Sequence, residues 1–206
     1  MALDETTAAF AAAAAADGIT FASRTFDWLG EQGHVGLERV ARTRRDPALV
    51  APAKAAIALL QAIYARLRGD ESVLRASREN LLLPVELVHE ATGTVVELTG
   101  PEHFTSFRAA ALGLYTDDAP VAFDLAEHRA LCAAWAGRSD GIGRGLAAKG
   151  FGFGGVQRQR AYQDSLRDLA TPAMGHPPLV RIVAVDEEGG ALYRRHRTLL
   201  AGLRPS

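Results

Sequence analysis

Residues 81–108 read LLLPVELVHEATGTVVELTGPEHFTSFR, and the reading of this stretch decides the fold. Val85–His89 and Thr94–Leu98 are rich in the β-branched residues that suit a pleated surface, and Ala91-Thr92-Gly93 between them has turn composition, so a β-hairpin is predicted. Side chains alternate across a strand, which leaves Glu86 and Glu97 inside apolar runs where Val or Ile is expected. Two carboxylates on neighbouring strands of one hairpin can share a face. A buried carboxylate without a partner is costly, so a cation, a basic side chain or a retained proton is expected beside them.

The same residues carry a family resemblance. Pro84-Val85-Glu86, then Glu97-Leu98-Thr99, then Gly100-Pro101-Glu102-His103-Phe104 resemble the core of the PD-(D/E)xK nuclease-like superfamily, nearest to its RAP-domain and very-short-patch-repair-like branch. Two positions depart from that pattern: Glu86 stands where Asp is usual, and Thr99 stands where Lys or Asp is. Thr99 can neither neutralise a phosphate nor serve as a strong anionic metal ligand. The resemblance implies an α/β fold with a restriction-endonuclease-like mixed sheet flanked by helices, and Mg²⁺ or Mn²⁺ held by Glu86 and Glu97. It also implies His103 or Lys149 assisting with a proton or with phosphate charge. In several nuclease-like families a later helix sends Gln, Arg, Lys or Tyr over the two acids, which makes Arg158, Gln159 and Tyr162 the substrate-binding candidates. DNA or RNA is the implied partner, whether cut or only bound.

Upstream of the hairpin the chain reads as a helical N-terminal extension over residues 1–70, with the nuclease-like α/β core over 71–206. Residues 3–16 suggest one helix, because Asp4 and Glu5 precede the alanines where a signal peptide would carry basic residues, and Asp17-Gly18 stops it. Phe21, Phe26 and Trp28 read as an aromatic packing cluster. Helical spacing recurs over Leu37–Thr43 and Pro47–Arg68, the latter capped by Asp46 with Pro47 at its first position. Arg39, Arg42, Arg44 and Arg45 form a basic run, readable as a phosphate contact or as a solvated face. Val73–Asn80 reads as a short strand or the approach to the hairpin.

Downstream, Ser106–Tyr115 and Asp124–Ala136 read as helices, the second with Asp124 as cap, His128 on its outer side and Cys132 inward. The glycines of Gly150–Gly155 give backbone freedom and suggest a mobile loop over the acidic hairpin, with Phe151 and Phe153 closing on a ligand or tucked into the core. Neither this loop nor Gly141–Gly145 has the flanking strand and helix of a dinucleotide site. Gln157–Leu169 is a strong helix on which Arg160–Asp164 and Asp164–Arg167 have the spacing of surface ion pairs. Leu179–Val185 is the clearest strand, expected beside the hairpin, and Ala191–Leu203 reads as a final helix.

With 206 residues, 48% of them hydrophobic, the chain can bury one ordinary domain. The formal net charge of −1 gives no global pull toward nucleic acid, yet from Glu79 to Glu127 nine carboxylates face Arg108 alone among Arg and Lys. A single cysteine excludes an internal disulfide and fits a cytoplasmic location. No apolar run is read as approaching the roughly 20 residues that cross a bilayer, so no membrane contact is expected.

Three functional readings remain. The first is a metal-dependent phosphodiesterase or a nucleic-acid-binding relative. The second is the same fold recruited to small-molecule binding or catalysis in specialised metabolism, which a pocket lined by Trp28, Phe104, Phe151, Phe153 and Tyr162 would support. The third is a structural subunit forming a homodimer through its helical extension.

Overall fold

The structure, a computed structural model, describes residues 3–44 and 46–204. In chain order its elements are α1 (Leu3–Ala15), β1 (Phe21–Gly30), α2 (Gly33–Thr43), α3 (Pro47–Arg66), α4 (Glu71–Ala76), β2 (Leu82–His89) and β3 (Val95–Thr99). There follow a 3-10 turn (Pro101–His103), α5 (Ser106–Leu112), α6 (Leu125–Ser139), α7 (Val156–Ala173), β4 (Val180–Val183), α8 (Gly189–His196) and a second 3-10 turn (Ala201–Leu203). Asp46 and Asp124 cap α3 and α6, accepting from Ala48 N at 2.9 Å and from Ala126 N at 2.8 Å. Each satisfies a backbone donor that the first turn leaves unpaired.

The four strands form one mixed sheet in the order β1-β2-β3-β4, antiparallel except for the parallel β3–β4 pair. A parallel neighbour requires a crossover, and here the connection from β3 to β4 includes α5, α6 and α7. Leu87, Val96, Leu98 and Ile182 cover one sheet face and pack with Phe10 of α1 and Leu192 of α8. Val85, Val88 and Val95 belong to the other face and pack with Leu37, Leu60, Ala111, Cys132 and Leu166 of α2, α3, α5, α6 and α7. The result is three layers, helix, sheet and helix. Full burial of side chains such as Leu60 and Ile63 stabilises by about 1.5–3 kcal/mol each relative to exposure.

Alternation along β2 is interrupted. Between the pairs Ala22↔Val88 and Arg24↔Val85, one residue of β1 faces two of β2, Glu86 and Leu87. Such a bulge lets Val85 and Val88 join one core while Leu87 joins the other.

Several sequence expectations change. Residues 1–70 are not a purely helical extension: β1 is an edge strand of the sheet, and Phe21, Phe26 and Trp28 lie on it. Of Val73–Asn80, read as a short strand or the approach to the hairpin, the first four residues belong to α4, which Asp70 caps by accepting from Ser72 N at 3.0 Å, and the rest lead irregularly toward β2. The last helix ends at His196. His128 is buried rather than outward, its ring centroid 4.4 Å from that of Phe123. Of the basic run, Arg45 lies outside the described residues, while Arg44 pairs with Asp27 at 3.1 Å and Arg42 with Glu38 at 2.6 Å. α3, at 20 residues, is long and apolar enough by length and composition to cross a membrane, which corrects the expectation that no apolar run approaches that length. Here its Leu60, Ile63 and Tyr64 pack into the main core.

Candidate functional site

The hairpin ladder is short. β2 and β3 are paired at Leu87↔Val96 and Val88↔Val95, and the next residues outward are Glu86 and Glu97. β3 instead continues its pairing with β4 through Thr99. The strands therefore part where the two carboxylates sit. A cavity of about 230 Å³ opens there, lined by Glu86, Glu97, His103, Pro84, Thr7 of α1 and Arg167 of α7 together with the strand residues between them.

Glu97 is half-buried and has Arg167 Nε 3.2 Å from its Oε1, an ionic contact whose angle is not that of a hydrogen bond. Glu86 is exposed and has no ion-pair partner among the described residues. One acid is thus compensated and the other is open to a ligand.

His103 ends the 3-10 turn that Pro101 begins after β3, and its Nδ1 lies 2.8 Å from Asp164 Oδ2. An ionised carboxylate only accepts, so Nδ1 carries the hydrogen and Nε2 is the ring nitrogen left over, 3.6 Å from Glu102 Oε1. Asp164 is itself buried. Burial pulls its carboxyl up, but His103, Arg181 and Arg108 outweigh that and hold it well below the usual carboxylate range.

Beneath Asp164 lies a buried charge network. Asp168, with no exposed surface, accepts from Arg181 Nε at 2.7 Å, from Tyr115 Oη at 2.9 Å and from Arg108 Nη2. Arg108 Nη1 also donates to Ser165 Oγ at 2.9 Å. Two buried guanidiniums against two buried carboxylates leave no net charge in the interior. Arg181 Nη1 donates to Thr99 Oγ1 at 3.2 Å, so the residue standing where the nuclease pattern has Lys or Asp is tied into this network and faces no ligand.

The expected site residues divide. Glu86, Glu97 and His103 come together in the cavity. Lys149 does not: it is absent from the lining, and its Nζ lies 3.0 Å from Ser77 Oγ and 3.4 Å from Glu31 Oε2. Arg158, Gln159 and Tyr162 are absent from the cavity lining: on α7 they precede Arg167 by nine, eight and five residues, which turns Arg158 and Tyr162 away from its face and sets Gln159 roughly 12 Å along the axis. Arg158 donates to Phe151 O at 2.8 Å, and Tyr162 is buried with its hydroxyl 2.8 Å from His34 Nδ1. The 150–155 loop is likewise no cover over the hairpin, because Phe151 packs on Tyr64 and Tyr162. Trp28, Phe104, Phe151 and Tyr162 are core residues and Phe153 is exposed, so they line no common pocket.

Arg167 and Asp164 were missed in the sequence because their spacing is that of a surface pair. The available signal was the stripe Asp164, Arg167, Asp168, Thr171, polar residues at helical spacing on a helix whose neighbouring positions are apolar.

Among the described residues no group of three or more His, Cys, Asp or Glu is gathered for metal coordination. Two carboxylates still suit a hard cation such as Mg²⁺, which commonly takes one or two protein carboxylates and completes its shell with water and substrate oxygens. The unpaired Glu86 carboxylate opposite Glu97 gives the cavity a donor set of that kind. No family model matches the chain, and neither does any curated protein or solved structure.

Proposed function

We propose that the cavity between β2 and β3 hydrolyses phosphodiester bonds with the help of a divalent cation, in a PD-(D/E)xK-like, restriction-endonuclease-like fold. The observation that carries this reading is the convergence of Glu86 and Glu97 where their strands part, with Arg167 and a carboxylate-oriented His103 lining the same cavity. The strand order, with three antiparallel strands and a fourth parallel to the third, supports it.

Glu86 and Glu97 would hold Mg²⁺ or Mn²⁺, which when bound polarises a phosphoryl oxygen and acidifies a coordinated water. Arg167 supplies a permanent positive charge for the phosphate, in place of the lysine that Thr99 does not provide. Asp164 holds the His103 ring so that Nε2 can give or take a proton.

Cleavage of labelled DNA and RNA oligonucleotides with Mg²⁺ or Mn²⁺ tests the reading. Glu86→Ala and Glu97→Ala are each expected to abolish turnover while leaving the fold intact. Cleavage that survives Glu97→Ala excludes the assignment. Tight metal binding without cleavage of any oligonucleotide transfers the site to a small-molecule substrate.

A further inference from the structure

A second concavity, of about 560 Å³, lies at the C-terminal end of α3 and is lined by Arg66, Leu67, Arg68, Phe107, Ala110, Gly154 and Arg158. Three of these seven residues are arginines and none is acidic. Among the described residues Arg66 and Arg68 have no ion-pair partner, and Arg158 is held only by the carbonyl oxygens of Phe151 at 2.8 Å and Phe153 at 3.4 Å. Cations at a helix C-terminus are favoured by the helix dipole, which accounts for Arg66. Arg68 follows two residues later with φ of 58°, the left-handed helix-ending conformation, its N–H donating to Ala65 O at 2.9 Å.

Beside the groove the chain presents an aromatic ring to water. Phe153 is 80% exposed, the most exposed of the large apolar side chains, while its loop is fixed from below by buried Phe151 and by Arg158. Gly152 and Gly154 on either side have φ of 65° and 67°. An unburied ring on an anchored loop is a stacking surface for a flat apolar group, and the adjoining arginines select one that carries negative charge.

We infer that this groove binds single-stranded nucleic acid, with Arg66, Arg68 and Arg158 on successive phosphates and a base stacked on Phe153. A duplex is disfavoured on two grounds. Its base faces are hidden from Phe153, and its broad polyanionic footprint needs more positive charge than a chain of net charge −1 offers. The groove is separate from the Glu86–Glu97 cavity. Arg158 and Arg167 lie nine residues apart on α7, roughly 14 Å along the axis and half a turn round it. The inference names a strand-binding surface for the proposed phosphodiesterase, but binding itself does not depend on that activity.

The test is fluorescence anisotropy of a labelled 15-nucleotide oligothymidylate in EDTA, so that cleavage cannot intervene. Arg66→Gln combined with Arg68→Gly removes two charges and relieves the backbone at residue 68; affinity is expected to fall about tenfold and the dependence of log K on log salt to flatten by roughly 1 to 1.5. Phe153→Ala, at an exposed position, is expected to weaken binding at least fivefold. The paired control Arg24→Gln with Arg42→Gln, equal in charge loss but remote, is expected to change affinity less than twofold. The inference is overturned if the strand does not bind, if the groove variants bind like wild type, or if a duplex of equal length binds as tightly. Displacement of the strand by equimolar ATP overturns it in favour of a mononucleotide site. Groove-dependent binding without metal-dependent cleavage leaves this inference standing and removes the hydrolytic one. Cleavage with unaffected groove variants does the reverse.

Discussion

Arg167 is the residue on which the chemistry of the cavity turns, because it holds Glu97 with a charge that a metal ion would otherwise contest. Removing it should separate metal binding from turnover. Arg167→Ala is expected to bind Mn²⁺ severalfold more tightly by calorimetry while losing at least tenfold in cleavage, since the phosphate loses its fixed cation. Equal losses in both would place Arg167 in scaffolding alone. Asp164 acts one step further back, through His103. Asp164→Asn is expected to lower kcat about tenfold to a hundredfold with KM little changed, and His103→Ala added to it should cost almost nothing more. A fully additive double variant would detach the pair from the reaction.

At the scale of elements, α7 is the part that ties sheet, cavity and groove together. Its Asp168 receives two guanidiniums and a phenol in a site without water access. Asp168→Asn leaves Arg108 and Arg181 buried with too little negative charge, and a loss of about 3–5 kcal/mol in urea unfolding is expected. Because Asp164 and Asp168 are both held below the ordinary carboxylate range, with burial more than offset by the guanidiniums, their contribution is present at neutral pH. It disappears only as acidity protonates them. On the opposite face, α1 and α8 meet at Gly189, where a Cβ would lie 2.0 Å from Thr6 O and 2.7 Å from Phe10 N. Those are backbone atoms and cannot swing aside. Gly189→Ala should destabilise by about 1–3 kcal/mol, read as a lower urea midpoint at unchanged slope.

For the whole molecule, two buried histidines set the response to mild acid. Burial first, then Arg181 and Arg108, push His128 down from 6.5 to about 4, and burial pushes His34 down as well. The unfolded chain takes up these protons near pH 6.5 and the folded one resists, so stability is full above that value and drains as pH falls toward 4. For His128 the shift corresponds to about 3 kcal/mol at the acid limit. Urea titrations at pH 7, 6 and 5 should show this fall, and His128→Phe, which keeps the aromatic packing, should flatten it; an unchanged slope would remove His128 as its source. Burial of this kind was not legible in the sequence, since His128 sits at a position that helix periodicity assigns to solvent, and Phe123 from the preceding loop and Phe104 from beyond β3 cover it. The hairpin was legible because two runs rich in β-branched residues flank a turn ending in glycine. β1 was not, because an edge strand with Ser23, Arg24 and Thr25 exposed has the composition of a loop. The two acids could be paired from sequence alone, whereas the basic partner of Glu97 came from a helix seventy residues further on, beyond the reach of any local pattern.

The clasp of Asp17, just after α1, on α8 and the residue that follows it has a consequence for biosynthesis. Asp17, two residues beyond the end of α1, grips Tyr193 at 2.6 Å and Arg197 at 2.6 Å, partners 176 and 180 residues away. A ribosome adding about 5–20 residues per second delivers those partners about 10–40 s after α1 has emerged. Through that interval Phe10 and Ala14, which end up wholly enclosed, have no α8 to lie against. α1 is therefore seated only after α8 has been made, and until then its apolar face stays open to whatever chaperone meets the nascent chain.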